Sequence, residues 1–549
     1  MTLPTPLEAF SKKYLRSVFA TYPARAANMG LHGYDGMVAD YSPFAVARRV
    51  SDLKVYRDEL AAIAPDAPPA QTWLDYELLR LAIERELFER EMLRDWARNP
   101  MGYISACDVS NYLKRNYAPL PTRLKAITAH LEHIPGLLAQ ARANLELPMP
   151  RTFAQVSLEM ARGTRIFLRD ELPVQLTAVT DSELMARFST AQAQAIAALE
   201  SFAAWLQNEV LSQANDKYAI GVDAFRQMLR VGEAVELPLE KLLAVARADL
   251  ARNKAEMEAT AHRIAPDKSP AEVIRDMGRR HPAAATLIPE AQKMMENLRA
   301  FVVEHDLVSI PNDLQPIVAE TPVFMRWAFA MMDSPGPFEK VATEAFYYIT
   351  PPEKDWSTEQ VEAWLSKFDY DTLDDVSVHE GWPGHYLHAL HFKNSPTQVT
   401  KVVDAYSSWE GWAHYAEQMM VEEGYRGGDP RLRLAQLSEA LLRDVRFICS
   451  IGLHTQGMGV EEVTRHFMQD AFMEELPARK EAERGTFDPG YLAYTLGKLM
   501  TLKLREDYRR EQGSAFSLKN FNDTFLSFGA PPIPLVRNMM LRQDDGQVL

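Results

Sequence analysis

Cysteine, surplus positive charge and long apolar runs are all scarce in this sequence. Its only two cysteines, Cys107 and Cys449, are too few for a disulfide framework or a thiolate zinc site, and we expect two free, buried thiols. The net charge of −15 argues against a general nucleic-acid binder, because phosphate binding requires clustered Lys and Arg. No apolar run approaches the ~18 residues of a membrane-spanning helix. We therefore expect neither a nucleic acid nor a membrane as a partner.

The sequence signals of several other enzyme classes are also missing. There is no Gly-x-Ser-x-Gly elbow, no Walker phosphate loop and no glycine-rich dinucleotide fingerprint. Residues 1–19 contain no basic region followed by an apolar core and a small-residue cleavage site. The sequence therefore predicts a cytoplasmic protein, although a chain that had lost a signal peptide would look the same. The oligomeric state is left open.

The length of 549 residues exceeds the roughly 250–300 residues that one hydrophobic core usually spans. Two lobes are therefore expected, an N-terminal helical lobe at 1–290 and a C-terminal catalytic lobe at 291–549, unless both form one continuous domain. The boundary is placed in a region where two X-Pro pairs bracket a helix.

Apolar residues at helical spacing dominate the sequence. One such stripe begins after Pro238, and another at 124–134 is predicted to end at Pro135. The best strand signal is the aromatic and β-branched run at 345–350, which two prolines follow. The sequence thus predicts a mainly α fold of many helices, with a small β element beside the histidine-rich segment described next. This strand could offer backbone hydrogen bonds to an extended peptide.

Four of the thirteen histidines lie in the segment 378–391, VHEGWPGHYLHALH. In zincins, an HExxH motif places two histidines on one helical face, with the glutamate as general base. Here His379 and Glu380 are followed by His385, which in a straight helix would lie about 120° away from the face of His379. The intervening proline and glycine permit a bulged or non-helical turn that returns His385 to the position of the second histidine. The alternative is a helix end followed by a solvent-exposed loop.

A second polar segment, 408–417, reads SWEGWAHYAE. Its Glu410, His414 and Glu417 have i, i+4, i+7 spacing and therefore share one helical face. One of them could complete a His₂Glu zinc site, an established catalytic set, while another fixes a histidine by a hydrogen bond. The alternative is a charged surface face, but the interleaved tryptophans and tyrosine favour a helix near the protein interior.

These two segments, together with DPGYLAYTLGK further along the chain, resemble the bacterial domain-of-unknown-function 885 family (DUF885), regarded as zincin-like metallopeptidases. The likeness extends over most of the chain. It implies a two-lobed, largely helical zincin-like fold, related in plan to angiotensin-converting enzyme and thimet oligopeptidase.

The resemblance also implies roles for individual residues. It implies a Zn²⁺ site whose ligands are His379, His385 and Glu410, with Glu410 ahead of Glu417. Glu380 becomes the general base that takes a proton from the attacking water and passes it to the leaving amine.

The resemblance further brings His454, Arg484 and Tyr494 to the cleft. Tyr494 and His454 are candidates for the donor that stabilises the oxyanion, and Arg484 could bind a substrate carboxylate bidentately. A structural role is equally open for each of the three.

The sequence departs from the family pattern at Tyr386, His388, Tyr491 and Asn522. These departures concern substrate specificity more than metal binding, and His388 could contact a ligand histidine or the substrate.

The leading hypothesis is a zinc-dependent peptidase that cleaves short peptides. One alternative is a zinc hydrolase of non-peptide amides or esters, since the same attack reaches either carbonyl. Another is a non-catalytic helical binding protein that retains a structural metal. Neither the substrate nor the end of the peptide from which cleavage proceeds follows from the sequence.

Overall fold

The computed structural model describes residues 5–64, 66, 68–326 and 329–549. The chain forms two compact units: the first runs to Ile220 and includes Pro335–Glu344, and the second comprises Gly221–Ser334 and Ala345–Leu549. The change between units at 220/221 comes earlier than the predicted division at 290/291. The helix that follows residue 286 packs against the helix that carries His379, and both lie in the second unit.

The first unit is built from helices, several of which begin at a proline or at a side-chain cap. At the first helix, Thr5 and Glu8 form a capping box. The helices of this unit are α1 (Pro6–Thr21), α2 (Pro23–Asn28), α3 (Pro43–Ala62), α4 (Ala70–Phe88), α5 (Asp95–Arg98), α6 (Met101–Ser105), α7 (Asn111–Lys114), α8 (Leu120–Asn144), α9 (Arg151–Ile166), α10 (Leu172–Gln175) and α11 (Ser182–Trp205).

The predicted end of α8 is wrong. Its apolar stripe at 124–134 is buried as predicted, but the helix continues through Pro135 to Asn144. Beyond the proline, Leu137, Leu138 and Ala141 are buried as well. This packing outweighs the backbone hydrogen bond that the proline removes, because tertiary contacts supply most of the stability of a helix in a protein.

The second unit is also mainly helical, and α13 begins after Pro238 as predicted. Its helices are α12 (Val222–Glu233), α13 (Leu239–Ile264), α14 (Pro270–Gly278), α15 (Leu287–Glu304), α16 (Thr358–Leu365), α17 (Tyr370–Glu380), α18 (His385–Lys393), α19 (Tyr406–Glu422), α20 (Pro430–Ile451), α21 (Val460–Asp470), α22 (Glu475–Phe487), α23 (Ala493–Gln512), α24 (Leu518–Ser527) and α25 (Ile533–Met540). The prediction of a mainly α fold is confirmed. Among the described residues, no helix has the length and apolar character needed to cross a membrane. Cys107 and Cys449 are buried and unpaired, as predicted.

A three-stranded sheet lies in the second unit, in the order β1 (Ile317–Glu320), β3 (Phe346–Ile349), β2 (Ala330–Asp333). The predicted strand at 345–350 is confirmed as β3. It pairs in parallel with β1 and antiparallel with β2, so its backbone groups are used within the sheet. The expectation that this strand would bind a peptide is therefore wrong, because the open edges belong to β1 and β2. Of these, β2 contacts α17.

Two glycines allow α19 and α23 to cross closely. A Cβ on Gly411 of α19 would overlap the Cα of Gly497 in α23, and a Cβ on Gly497 would overlap the carbonyl oxygen of Ser407. The glycines of the EGWA and YTLGK segments therefore let the helix carrying Glu410 approach the helix carrying Tyr494.

Candidate metal site

The histidine-rich segment forms two helices. Helix α17 ends at Glu380, residues 381–384 form a non-helical turn, and α18 begins at His385. Within the turn, the Gly384 amide donates to the Val378 carbonyl (3.0 Å), and the Trp412 indole donates to the Pro383 carbonyl (2.9 Å). A Cβ on Gly384 would overlap the carbonyl oxygens of the preceding helix, so only glycine fits here. The segment therefore contains a complete helix break, and Trp412 of α19 binds the turn. The chain does not form a bulge within one continuous helix.

This turn brings the two histidines together. The ring centroids of His379 and His385 are 4.6 Å apart, at an interplanar angle of 83°. Glu410 Oε2 lies 3.4 Å from His379 Nε2 and 3.3 Å from His385 Nε2. The three potential ligand atoms lie within 4.8 Å of one another. The structure therefore brings together the three residues predicted as metal ligands.

Glu417 lies behind His379, on the side away from Glu410. Its Oε1 accepts a hydrogen bond from His379 Nδ1 (2.6 Å), while Oε2 accepts from His414 Nδ1 (2.9 Å) and from Arg443 (3.0 Å). Bonding at Nδ1 leaves Nε2 of His379 directed at Glu410. Glu417 therefore orients a ligand histidine, which separates its role from that of Glu410.

Burial and charge act against each other in this cluster. Burial alone would lower the pKa of His379, but the carboxylates of Glu410 and Glu417 raise it to about 10. Burial alone would raise the pKa of Glu410, yet His385 and His379 hold it well below its ordinary value. Burial also opposes ionisation of Glu417, and Arg443 and His414 nevertheless lower its pKa. The two carboxylates are thus kept ionised beside imidazole nitrogens.

Glu380 is bound to the edge strand of the sheet. Its Oε2 accepts a hydrogen bond of 2.9 Å from the Met332 amide in β2. The amide therefore points away from β3 and towards the helix that carries His379. This contact places the carboxylate of the predicted general base at the open edge of β2.

Tyr494 and Arg484 lie in an aromatic and cationic cluster next to the metal-ligand residues. The Tyr494 ring is 6.4 Å from the His379 ring and 5.8 Å from the Tyr406 ring, centroid to centroid. Arg484 donates to the Tyr406 hydroxyl (3.0 Å) and to Asp488. Burial, together with the negative charge of Glu410, raises the pKa of Tyr494, which keeps its hydroxyl protonated.

The comparisons with known proteins place the chain in one family. The model of the family described as "Bacterial protein of unknown function (DUF885)" matches residues 23–540. The chain belongs to the DUF885 family. No curated protein matches it.

Two solved structures share the fold of this DUF885 protein. A candidate lipoprotein of unknown function from Shewanella oneidensis has a TM-score of 0.82 and 23% identity, covering 98% of this chain and 100% of its own. A candidate lipoprotein from Colwellia psychrerythraea has a TM-score of 0.81 and 16% identity, covering 98% of each chain. At such identities the likeness concerns the fold alone.

Two further histidines of the DUF885 protein are tied to backbone carbonyls. His454 Nε2 donates to the Gly485 carbonyl (2.8 Å), and burial lowers its pKa to about 4. His388 Nε2 donates to the Gly529 carbonyl (3.0 Å), and its ring lies 4.2 Å from that of Trp409. The predicted role of His454 in the cleft stays a prediction.

Three groups at the site were not singled out from the sequence of this DUF885 protein. Arg443 had a signal, since it is one of the charged residues that interrupt an apolar stretch of α20. Tyr406 also had one, because it precedes Glu410 by four residues and shares its helical face. The Met332 amide had none, because a backbone donor depends on sheet pairing that no side chain reveals.

Proposed function

We propose that this DUF885 protein is a zinc-dependent hydrolase, and specifically a peptidase that cleaves short peptides. The observation that carries the proposal is the convergence of His379, His385 and Glu410 within 4.8 Å, with Glu380 next to the first of them in the chain. A His₂Glu set that leaves one position open is an established arrangement for catalytic zinc.

The donor set fits zinc. Two imidazole nitrogens and one carboxylate oxygen suit this borderline cation, whereas calcium and magnesium prefer oxygen ligands alone. Glu410 Oε2 is buried and receives no hydrogen bond from the described residues, so a cation would satisfy it. When bound, zinc supplies Lewis-acid activation of water and of a carbonyl group.

Glu380 is the proposed general base. It takes the proton of the attacking water and delivers it to the nitrogen that leaves. The Met332 amide, at 2.9 Å from Oε2, holds the carboxylate at the edge of β2. This fixed position matters because a general base acts only within hydrogen-bonding reach of the proton that it removes.

The open edge of β2 is the proposed track for the peptide. An extended chain can add to such an edge through backbone hydrogen bonds, with little dependence on its side chains. The outward amide of Met332 is occupied by Glu380, so a peptide on this edge would pair with the other outward backbone groups of β2 and pass beside the proposed base. This geometry favours peptides over small esters as substrates.

Tyr494 is the proposed donor to the oxyanion. Its ring lies beside that of His379, and its hydroxyl would act together with the metal site. His454 is the weaker candidate, because its Nε2 hydrogen is already donated to a carbonyl.

The test combines metal content with turnover of a peptide library. We expect about one zinc ion per chain in the wild type and its loss in His379→Ala and Glu410→Ala. Glu380→Gln should keep zinc but lower kcat by about 10²–10⁴-fold. Glu423→Gln, an exposed residue at the end of α19, is the matched control and should change neither quantity.

The outcomes separate the alternatives. Cleavage of amides or esters but not of peptides would move the substrate class to the first alternative. Zinc binding without any turnover would favour a binding protein with a structural metal. A chain that takes up no zinc even on reconstitution would contradict the proposed mechanism.

A further inference from the structure

We propose that Arg484, together with the hydroxyl of Tyr406, binds the terminal carboxylate of a peptide. The enzyme would then act at the carboxyl end of short peptides. This inference rests on the proposed hydrolase function, since it names the substrate class of the same site.

Arg484 is the accessible arginine of the cluster. Its side chain is 31% exposed, whereas those of Arg443 and Arg446 are 7% and 9% exposed. Arg446 donates to both oxygens of Glu481, and Arg443 pairs with Glu417 and Glu439. The two buried arginines are therefore engaged within the protein, and only Arg484 is positioned to meet a ligand from solvent.

Asp488 accepts hydrogen bonds from only two nitrogens of the Arg484 guanidinium. Its Nε and Nη2 donate to one oxygen of Asp488, Oδ2, at 3.1 and 3.0 Å. Nη2 also donates to the Tyr406 hydroxyl at 3.0 Å, whereas Nη1 makes no bond to either group. A guanidinium has five N–H donors in a planar fork, so an incoming carboxylate can still be bound. Asp488 and Tyr406 thus orient the fork.

Two tyrosine rings connect Arg484 to the metal-ligand residues. The Tyr406 ring lies 5.8 Å from the Tyr494 ring, which lies 6.4 Å from the His379 ring. The positive charge of Arg484 also opposes the rise in the pKa of Tyr494, so the two side chains are electrostatic neighbours. A carboxylate on Arg484 would therefore lie only a few residues of extended peptide from the site of attack.

The charges around this site select a carboxylate over an ammonium group. The carboxylates of Glu417, Glu439, Glu481 and Asp488 are each paired with an arginine. A peptide amino terminus would find no unpaired acceptor among these four, whereas a carboxylate would find an arginine and the Tyr406 hydroxyl. Bidentate Arg–carboxylate bonds are among the stronger hydrogen bonds in proteins. Internal peptide segments lack this group, so chain ends are preferred.

The experiment measures binding without turnover. The full-length Glu380→Gln chain is titrated calorimetrically with N-acetyl-tetraalanine and with its carboxyl-terminal amide, which differ only in the terminal charge. We expect the free acid to bind about tenfold more tightly or better, and Arg484→Gln in the same background to bring the ratio to about one. Arg479→Gln is the matched control, because Arg479 lies in the same helix but pairs with Glu461. It should leave the preference unchanged.

Equal binding of acid and amide, binding of neither, or a preference that survives Arg484→Gln would overturn the proposal. Because this readout needs no turnover, a preference seen in a chain without peptidase activity would separate the subsite from the proposed hydrolase function. If circular dichroism shows that Arg484→Gln does not fold, Tyr406→Phe removes only the hydroxyl that accepts from Nη2. It should reduce the preference by about threefold, in line with the lower end of the net contribution of one hydrogen bond, and no change would overturn the proposal.

Discussion

Glu417 contacts three side chains through its two carboxylate oxygens. One oxygen accepts from His379, and the other accepts from His414 and Arg443. A carboxylate on Nδ1 fixes the tautomer of a ligand histidine and makes its Nε2 a better donor to a metal. The buried Arg443 in turn keeps Glu417 ionised, as the lowered pKa of Glu417 indicates. The orientation of one ligand thus depends on two residues outside the proposed ligand set.

A substitution at Glu417 tests this dependence. Glu417→Gln keeps the shape of the side chain but removes the charge, so we expect the zinc dissociation constant to rise about 10- to 100-fold. The constant is measured by competition with a chromophoric chelator. Glu423→Gln, an exposed substitution just beyond the same helix, serves as the control. A zinc affinity within twofold of the wild type would contradict the orienting role of Glu417.

At the scale of elements, helix α19 is the centre of the site. It supplies Glu410, His414 and Glu417, and its indole at Trp412 binds the turn between α17 and α18. Its crossing with α23 depends on Gly411 and Gly497, where the two backbones meet. Close packing of this kind has no room for an added methyl group.

The glycine crossing predicts opposite effects for two Gly→Ala substitutions. Gly497→Ala places a Cβ against backbone atoms of α19 and should lower the free energy of unfolding by about 1–3 kcal/mol. Gly232→Ala in α12 meets open space and should be neutral or stabilising by up to about 1 kcal/mol. Urea unfolding measures both. Equal effects at the two positions would show that the crossing is looser than described.

At the scale of the whole molecule, the three proposed ligands come from three successive helices of the second unit, α17, α18 and α19. A ligand that binds only the folded chain stabilises it by mass action. Zinc should therefore hold these helices together, and its removal should be visible as a loss of stability.

Metal removal provides the corresponding prediction. With zinc at 100 times its dissociation constant, the free energy of unfolding should rise by about 2.7 kcal/mol over that of the chelated protein. Scanning calorimetry with zinc and with a chelator measures the shift. Glu410→Ala should unfold at the same temperature in both conditions. If the wild-type chain also unfolds at the same temperature with zinc and with the chelator, this result would argue against a metal site that is assembled by folding.

The sequence by itself determined the helical class, the β3 strand, the two buried thiols and the family. It also singled out the residues that converge at the candidate metal site. These features follow from local patterns, namely apolar periodicity, an aromatic run and three short motifs between residues 379 and 498. Zinc, hydrolase activity, short-peptide substrates and cytoplasmic location stay predictions.

Other features of the fold and of the candidate site were decided only by the tertiary structure. It separated Glu410 from Glu417, because two glutamates on one helical face differ only in which nitrogen of His379 each one meets. It also showed that α8 continues past Pro135 and that the sheet edge beside Glu380 belongs to β2. Each of these features depends on groups distant in sequence: partners across helices, packing beyond a proline and strand pairing. Such contacts leave no local pattern, because they exist only once the chain has folded.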